Sequence, residues 1–208
     1  MSHFQPSHLT VNQLSCERGS RRLFADLAFK VSSGQAMIIQ GSNGVGKTSL
    51  LRIITGLSPA VDGQVCWNGK NIEALGDDYL RELLYIGHHA AVKTELTVRE
   101  NLQLLLKFWP NDQLDVVELA NIIGLRQRLS VVCSRLSAGQ LRRVSLARLF
   151  ISSQTLWVLD EPLTALDVMF IEQIEDQIQK HLQRGGMAVL TTHRGISLGE
   201  QATIALEM

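Results

Sequence analysis

Between the apolar run Ala36-Met-Ile-Ile-Gln40 and a second apolar pattern starting at Leu50, the chain reads Gly41-Ser-Asn-Gly-Val-Gly-Lys-Thr-Ser49. This stretch limits the possible folds more than any other. A short continuous apolar run that halts at a glycine reads as a buried strand. Leu50, Leu51, Ile53 and Ile54 recur at helical spacing, so a helix is expected from Ser49 to Gly56. The residues between must turn a strand into a helix, and Gly41, Gly44 and Gly46 supply the backbone freedom for it. Later runs repeat the theme. Leu156-Trp-Val-Leu159 and Met187-Ala-Val-Leu190 read as buried strands. Ile171, Ile174, Ile178 and Leu182 mark one face of a helix that ends at Gly185-Gly186. Strand, helix and strand around a glycine-rich turn argue for an α/β fold with a largely parallel sheet.

The spacing Gly41-x-x-x-x-Gly46-Lys47-Thr48 is a complete phosphate-loop pattern, in the strand-then-helix context it requires. Successive N–H groups from Gly41 through Ser42, Asn43, Gly44, Val45 and Gly46 can form an anion nest. The helix that follows turns its positive end, with Lys47, Thr48 and Ser49, toward the same anion. Lys47 offers a compact positive charge to the β- and γ-phosphates, and Thr48 a hydroxyl to Mg²⁺. The competing reading, a flexible glycine turn with an incidental lysine, leaves that context unexplained. Asp160-Glu161 follows the strand at 156–159 directly. An acid pair at a strand end is a weak signal alone. Beside a phosphate loop it reads as a magnesium-holding carboxylate, Asp160, and a general base, Glu161.

Elsewhere the pattern is coarser. Leu9–Leu14 and Leu27–Val31 alternate as strands, and Gly63–Gly69 reads as a strand running into an Asn-Gly turn. Thr97 and Glu100 form a capping box for a leucine-rich helix that should stop before Pro110. Asp115–Ile123 reads as another helix, closed by Gly124. Residues 1–208 are therefore expected to form a single domain carrying a helical part over about 90–150. Formal net charge is zero, which gives no general attraction to nucleic acid or an anionic membrane. No apolar run approaches the roughly 18 residues needed to span a bilayer. Cys16, Cys66 and Cys133 lie far apart and read as buried free thiols.

Leu136-Ser137-Ala138-Gly139-Gln140 sits upstream of the acid pair. It resembles the signature motif of ABC-type ATPases, with Ala138 in place of one glycine. Leu163-Thr-Ala-Leu-Asp167 looks like that family's D-loop and Thr191-Thr-His193 like its switch histidine, in the family's order along nearly the whole chain. The resemblance implies an ATPase that pairs head to tail with a second copy of itself. Ser137, Gly139 and Gln140 of one subunit then meet the ATP held by the other. His193 senses the γ-phosphate, and Asp167 carries cross-talk between the two sites. At two positions the chain departs from the pattern. Arg18 stands where the family places an aromatic residue against adenine; it either stacks through its guanidinium or is a simple exposed arginine. His88 stands where the family has a glutamine that meets Mg²⁺ or water.

Within the family, the short length and the segments around His88, Ser137 and Asp160 look like the ATP-binding subunits of bacterial cytochrome c maturation, the haem export system. That implies integral membrane partner subunits, peripheral attachment at the cytoplasmic face of the inner membrane, ATP and Mg²⁺ as ligands, and no nucleic acid. The competing reading is a non-transport ABC ATPase acting as an assembly factor.

Overall fold

The computed structural model of the chain describes residues 4–110, 114–193, 195–196, 198 and 203–207. They fall into two compact units. The first comprises Met1–Tyr85, Gln154–Glu161 and Ile178–Met208, and the second Ile86–Ser153 and Pro162–Gln177.

Two sheets make up the first unit. β1 (His8–Arg18), β2 (Arg21–Ser32), β4 (Asp62–Trp67) and β5 (Lys70–Asn71) form an antiparallel sheet in the order β2-β1-β4-β5. In β1 the buried positions are Leu9, Val11, Leu14 and Cys16. The alternation slips by one at Gln13, whose φ of 48° marks an irregularity in the register with β2 and β4. The second sheet has the order β6-β7-β8-β3-β9, built from β3 (Ala36–Gln40), β6 (Leu83–Ile86), β7 (Leu156–Asp160), β8 (Met187–Thr191) and β9 (Thr203–Glu207). β7, β8, β3 and β9 pair in parallel. β7 and β8 are buried at every residue and β3 at all but Gln40, as strands covered on both faces must be. Met37, Ile39, Val158 and Val189 join Leu50, Leu51 and Ile54 of α1 (Lys47–Ile54) in one apolar core.

α1 begins two residues before the expected start, because Gly46 is its N-cap and Lys47 and Thr48 already belong to its first turn. The Asn-Gly turn after β4 is present, with φ of 51° at Asn68 and 79° at Gly69. Two short helices, α2 (Ile72–Leu75) and α3 (Asp77–Glu82), and the edge strand β9 have no counterpart in the sequence reading. Helices that brief show no full period.

The second unit is helical among its described residues. It holds α4 (Val98–Phe108), α5 (Val116–Ile122), α6 (Ala138–Leu146), short 3₁₀ turns, and the first part of α7 (Val168–Gln183). α4 carries the expected capping box between Thr97 and Glu100 and ends before Pro110. α5 has a capping box of its own from Asp115 and Glu118, and Gly124 beyond its end has a φ of 70°. Among the described residues no helix is long and apolar enough to cross a membrane.

Candidate functional site

In the first unit, the end of β3 and the start of α1 bound a cavity of about 350 Å³. Asn43, Gly44, Gly46, Lys47, Thr48 and Ser49 line its floor, Arg18, Arg21 and Leu23 one side, and Glu161 another. Gly41, Ser42 and Val45 are not among the lining residues. Gly46 has a φ of 120°, and a Cβ there would come 3.1 Å from both Leu23 and Phe24, so the loop can follow this path only with glycine. Gly46 supplies no side chain to cap α1. The first N–H groups of the helix therefore have no side-chain cap, an arrangement suited to an anion. Lys47 is 6% exposed, and its ammonium donates to the carbonyls of Gly41 at 2.7 Å and Ser42 at 3.0 Å. Those bonds hold a buried charge in place beside the cavity.

At the ends of β7 and β8 the polar groups are closely linked. Thr48 Oγ1 donates to Asp160 Oδ2 at 2.8 Å, and Thr191 Oγ1 donates to Asp160 Oδ1 at 2.8 Å. The Glu161 backbone N–H donates to the same Thr191 hydroxyl at 2.8 Å. Glu161 has a φ of 46°, a left-handed conformation costing a non-glycine residue about 1–2 kcal/mol. His193 Nε2 lies 3.0 Å from Glu161 Oε1. A hydroxyl and a carboxylate in contact are hard oxygen donors, the chemistry Mg²⁺ prefers, so Thr48 and Asp160 fit that ion. Tyr85 stands nearby, its phenol pushed up first by burial and then by the charge of Asp160.

In the second unit, Ser137 is the N-cap of α6. Its hydroxyl accepts from the Gln140 N–H at 3.2 Å, while Gln140 Oε1 accepts from the Ser137 N–H at 3.0 Å. Ala138 is the first helical residue and has no positive φ, which is why alanine serves there in place of glycine. Gly139 is constrained: a Cβ would lie 2.5 Å from the Ala165 carbonyl oxygen. A hollow of about 520 Å³ opens over Ser137, Gly139, Gln140 and the Ala165–Asp167 segment. The Phe170 N–H and then the Arg143 guanidinium hold the Asp167 carboxyl below the ordinary carboxylate range. His88 is exposed, with its ring edge-on to His89. The buried Arg142 guanidinium donates to the carbonyls of Gly87 at 2.8 Å, His88 at 3.4 Å and Pro162 at 3.4 Å.

The structure thus gathers Arg18, the lining residues of the loop, Glu161 and, through hydrogen bonds, Asp160 and His193 around one cavity. Ser137, Gly139 and Gln140 meet in the second unit, to which His88 also belongs. The sequence reading takes Arg21 and Arg142 only as solvated faces or phosphate contacts and names Thr191 only within the switch-histidine segment; Arg21 lines the cavity, whereas Arg142 is buried. Beyond that, Arg21 is signalled only as the register partner of Arg18 across the β1–β2 turn, and Thr191 only as the polar end of an apolar strand.

A profile of the ABC transporter family matches residues 24–164. The cytochrome c biogenesis ATP-binding export protein CcmA of Dechloromonas aromatica is 46% identical over 193 residues, covering 91% of this chain and 94% of that protein. The protein of the same name from Haemophilus ducreyi is 43% identical, with 97% of each chain covered. A solved ATP-binding subunit of an ABC transporter superposes with a TM-score of 0.79 at 25% identity, covering 95% of this chain and 85% of that one. A complete phosphate loop, a carboxylate pair at the end of a parallel strand and a capped signature helix are thus joined to close relatives of one kind, and the chain belongs to the ABC transporter family.

Proposed function

We propose that this chain is the ATP-hydrolysing subunit of an export complex of cytochrome c maturation, the haem export system, and that it drives a conformational change in separate membrane subunits. The observation that carries this reading is the convergence on one cavity of a phosphate loop, a metal-compatible carboxylate and a glutamate paired with a histidine. The identity to the two export proteins named above supports the assignment to cytochrome c maturation.

Each side chain has a task. The N–H groups at the start of α1 and the Lys47 ammonium bind the phosphates of ATP. Arg18, which lines the cavity, stacks its guanidinium on adenine. Thr48 and Asp160 hold Mg²⁺, which neutralises charge on the β- and γ-phosphates when bound. His88 takes the place of the glutamine that meets the metal or its water. Glu161 takes a proton from the attacking water, and His193 Nε2 holds that carboxylate in position. Ser137, Gly139 and Gln140 at the N-terminus of α6 meet the γ-phosphate held by a second copy, paired head to tail. The chain acts as a single ATPase domain whose helical part, about 90–150, faces the membrane partners, and it sits peripherally at the cytoplasmic face.

The test is Glu161→Gln in the full chain, with sizing in the presence and absence of ATP and affinity capture from membranes. The variant should bind ATP, turn it over slowly and accumulate as a nucleotide-dependent dimer. Wild-type capture should bring integral membrane subunits. A variant that stays monomeric in saturating ATP counts against the head-to-tail pair. Capture without any membrane protein favours the assembly-factor reading.

A further inference from the structure

The Thr191 hydroxyl stands between the two carboxylate residues of the site. It is completely buried at the end of β8, directly opposite Asp160 in the parallel register. A hydroxyl has one proton to give. The Glu161 N–H can only donate to this hydroxyl, so the hydroxyl proton goes to Asp160 Oδ1 at 2.8 Å. The hydroxyl oxygen then accepts the Glu161 N–H, also at 2.8 Å. The polarity is therefore fixed, from Glu161 backbone to Thr191 to Asp160, and each bond strengthens the other. The backbone held in this way is the left-handed one, with a φ of 46°. The second oxygen of Asp160 accepts from Thr48 at the first turn of α1. One carboxylate thus links the phosphate loop to the main chain of Glu161 through two hydroxyls.

We propose that Thr191 is a positioning residue for hydrolysis: its hydroxyl locks the left-handed backbone of Glu161 to Asp160 and so aims the glutamate at the attacking water. The proposal rests on the reading of Glu161 and Asp160 given above. It adds that the aim of the base is set from a neighbouring strand. A left-handed glutamate without this anchor can relax toward the ordinary helical or extended regions, and its carboxylate then swings away from the reacting water. A side chain that merely fills space at this point is replaceable by valine, which has the same branching and lacks only the hydroxyl.

The experiment compares Thr191→Val, Thr191→Ser and Glu161→Gln in the full chain, with three readouts. These are amide hydrogen exchange at Glu161 without nucleotide, ATP affinity in EDTA, and single-turnover hydrolysis with Mg²⁺. Thr191→Val should expose the Glu161 amide to fast exchange and slow hydrolysis by about 10- to 100-fold, the usual cost of removing an outer supporting hydrogen bond. Its ATP affinity in EDTA should stay at the wild-type level, because the phosphate loop is intact. Thr191→Ser should restore both amide protection and rate. Wild-type turnover in Thr191→Val, beside slow turnover in Glu161→Gln, overturns the proposal and leaves the role of Glu161 standing. Normal turnover in Glu161→Gln removes the glutamate from the reaction and the proposal with it. Equal slowing in the valine and serine variants assigns the effect to shape and also overturns it. Should Thr191→Val fail to fold, Thr191→Cys keeps the volume with a weak donor and acceptor, and the same losses in milder form are expected.

Discussion

The ammonium of Lys47 is the clearest case of a residue whose task is written in its surroundings. It is almost fully buried at the cavity it lines, and it gives its protons to the loop carbonyls of Gly41 and Ser42. A charge kept there needs an anion to justify its desolvation. Lys47→Ala should therefore weaken ATP binding by about 10- to 100-fold, equivalent to about 1.5–3 kcal/mol for lost charge-assisted bonds, and abolish measurable turnover. Equilibrium titration with ATP in EDTA checks the first part; unchanged affinity would take Lys47 out of phosphate binding. Lys47, Thr48, Asp160 and Glu161 are legible in the sequence because each sits at a fixed short offset from a strand end. Thr191 is not. Its partners Asp160 and Glu161 lie 31 and 30 residues away, and only the parallel register of β7 and β8 brings them together. Arg142 is hidden for the same reason, since the carbonyls of Gly87, His88 and Pro162 that it bonds come from two distant segments.

Elements were legible where a local rule is strong. The capping-box rule that places the start of α4 at Thr97 also describes Asp115 with Glu118 and Ser137 with Gln140. At α6 the cap is also a residue of the signature, so under the proposed function one hydroxyl serves helix stability and phosphate recognition together. Two substitutions separate these roles. Ser137→Ala removes the cap and should cost about 1 kcal/mol of stability. Ser137→Asp keeps a good capping oxygen and complements the helix dipole, so stability should hold, while its negative charge repels the phosphate and hydrolysis should fail. Denaturant unfolding and steady-state ATPase measure the two effects. An active aspartate variant would mean that Ser137 acts only as a cap. β9 stayed illegible because Thr203–Glu207 becomes a strand through pairing with β3, more than 160 residues earlier in the chain. α2 and α3 are held by tertiary contacts such as the bond from the buried Tyr79 hydroxyl to the Ile54 carbonyl at 2.7 Å.

At the scale of the molecule, the alternation of strand and helix gives the parallel core, but no local rule assigns Pro162–Gln177 to the same compact unit as Ile86–Ser153. The first unit also buries a titratable group far from the phosphate loop in sequence, and this group links folding to pH. His181 is 4% exposed and stacks on Trp157 with ring centroids 3.9 Å apart. Its Nε2 lies 3.2 Å from the carbonyl oxygens of both Thr155 and Met187. Carbonyls only accept, so Nε2 carries a proton, and it is burial that holds the ring neutral. Burial, which outweighs those two bonds, and with it the nearby charge of Arg184, lower its pKa from the ordinary 6.5 to about 4. Between those pH values the unfolded chain takes up a proton that the folded chain refuses. Stability is therefore complete above about pH 6.5 and declines as the pH falls, by about 2 kcal/mol at pH 5 and about 3 kcal/mol near pH 4 from this group alone. Urea unfolding at pH 7.5 and pH 5 should show the loss, and His181→Phe, which keeps the stack on Trp157 without a titrating ring, should remove most of it. An equally steep fall in the phenylalanine variant would place the acid sensitivity elsewhere, because no proton could then be refused at this position.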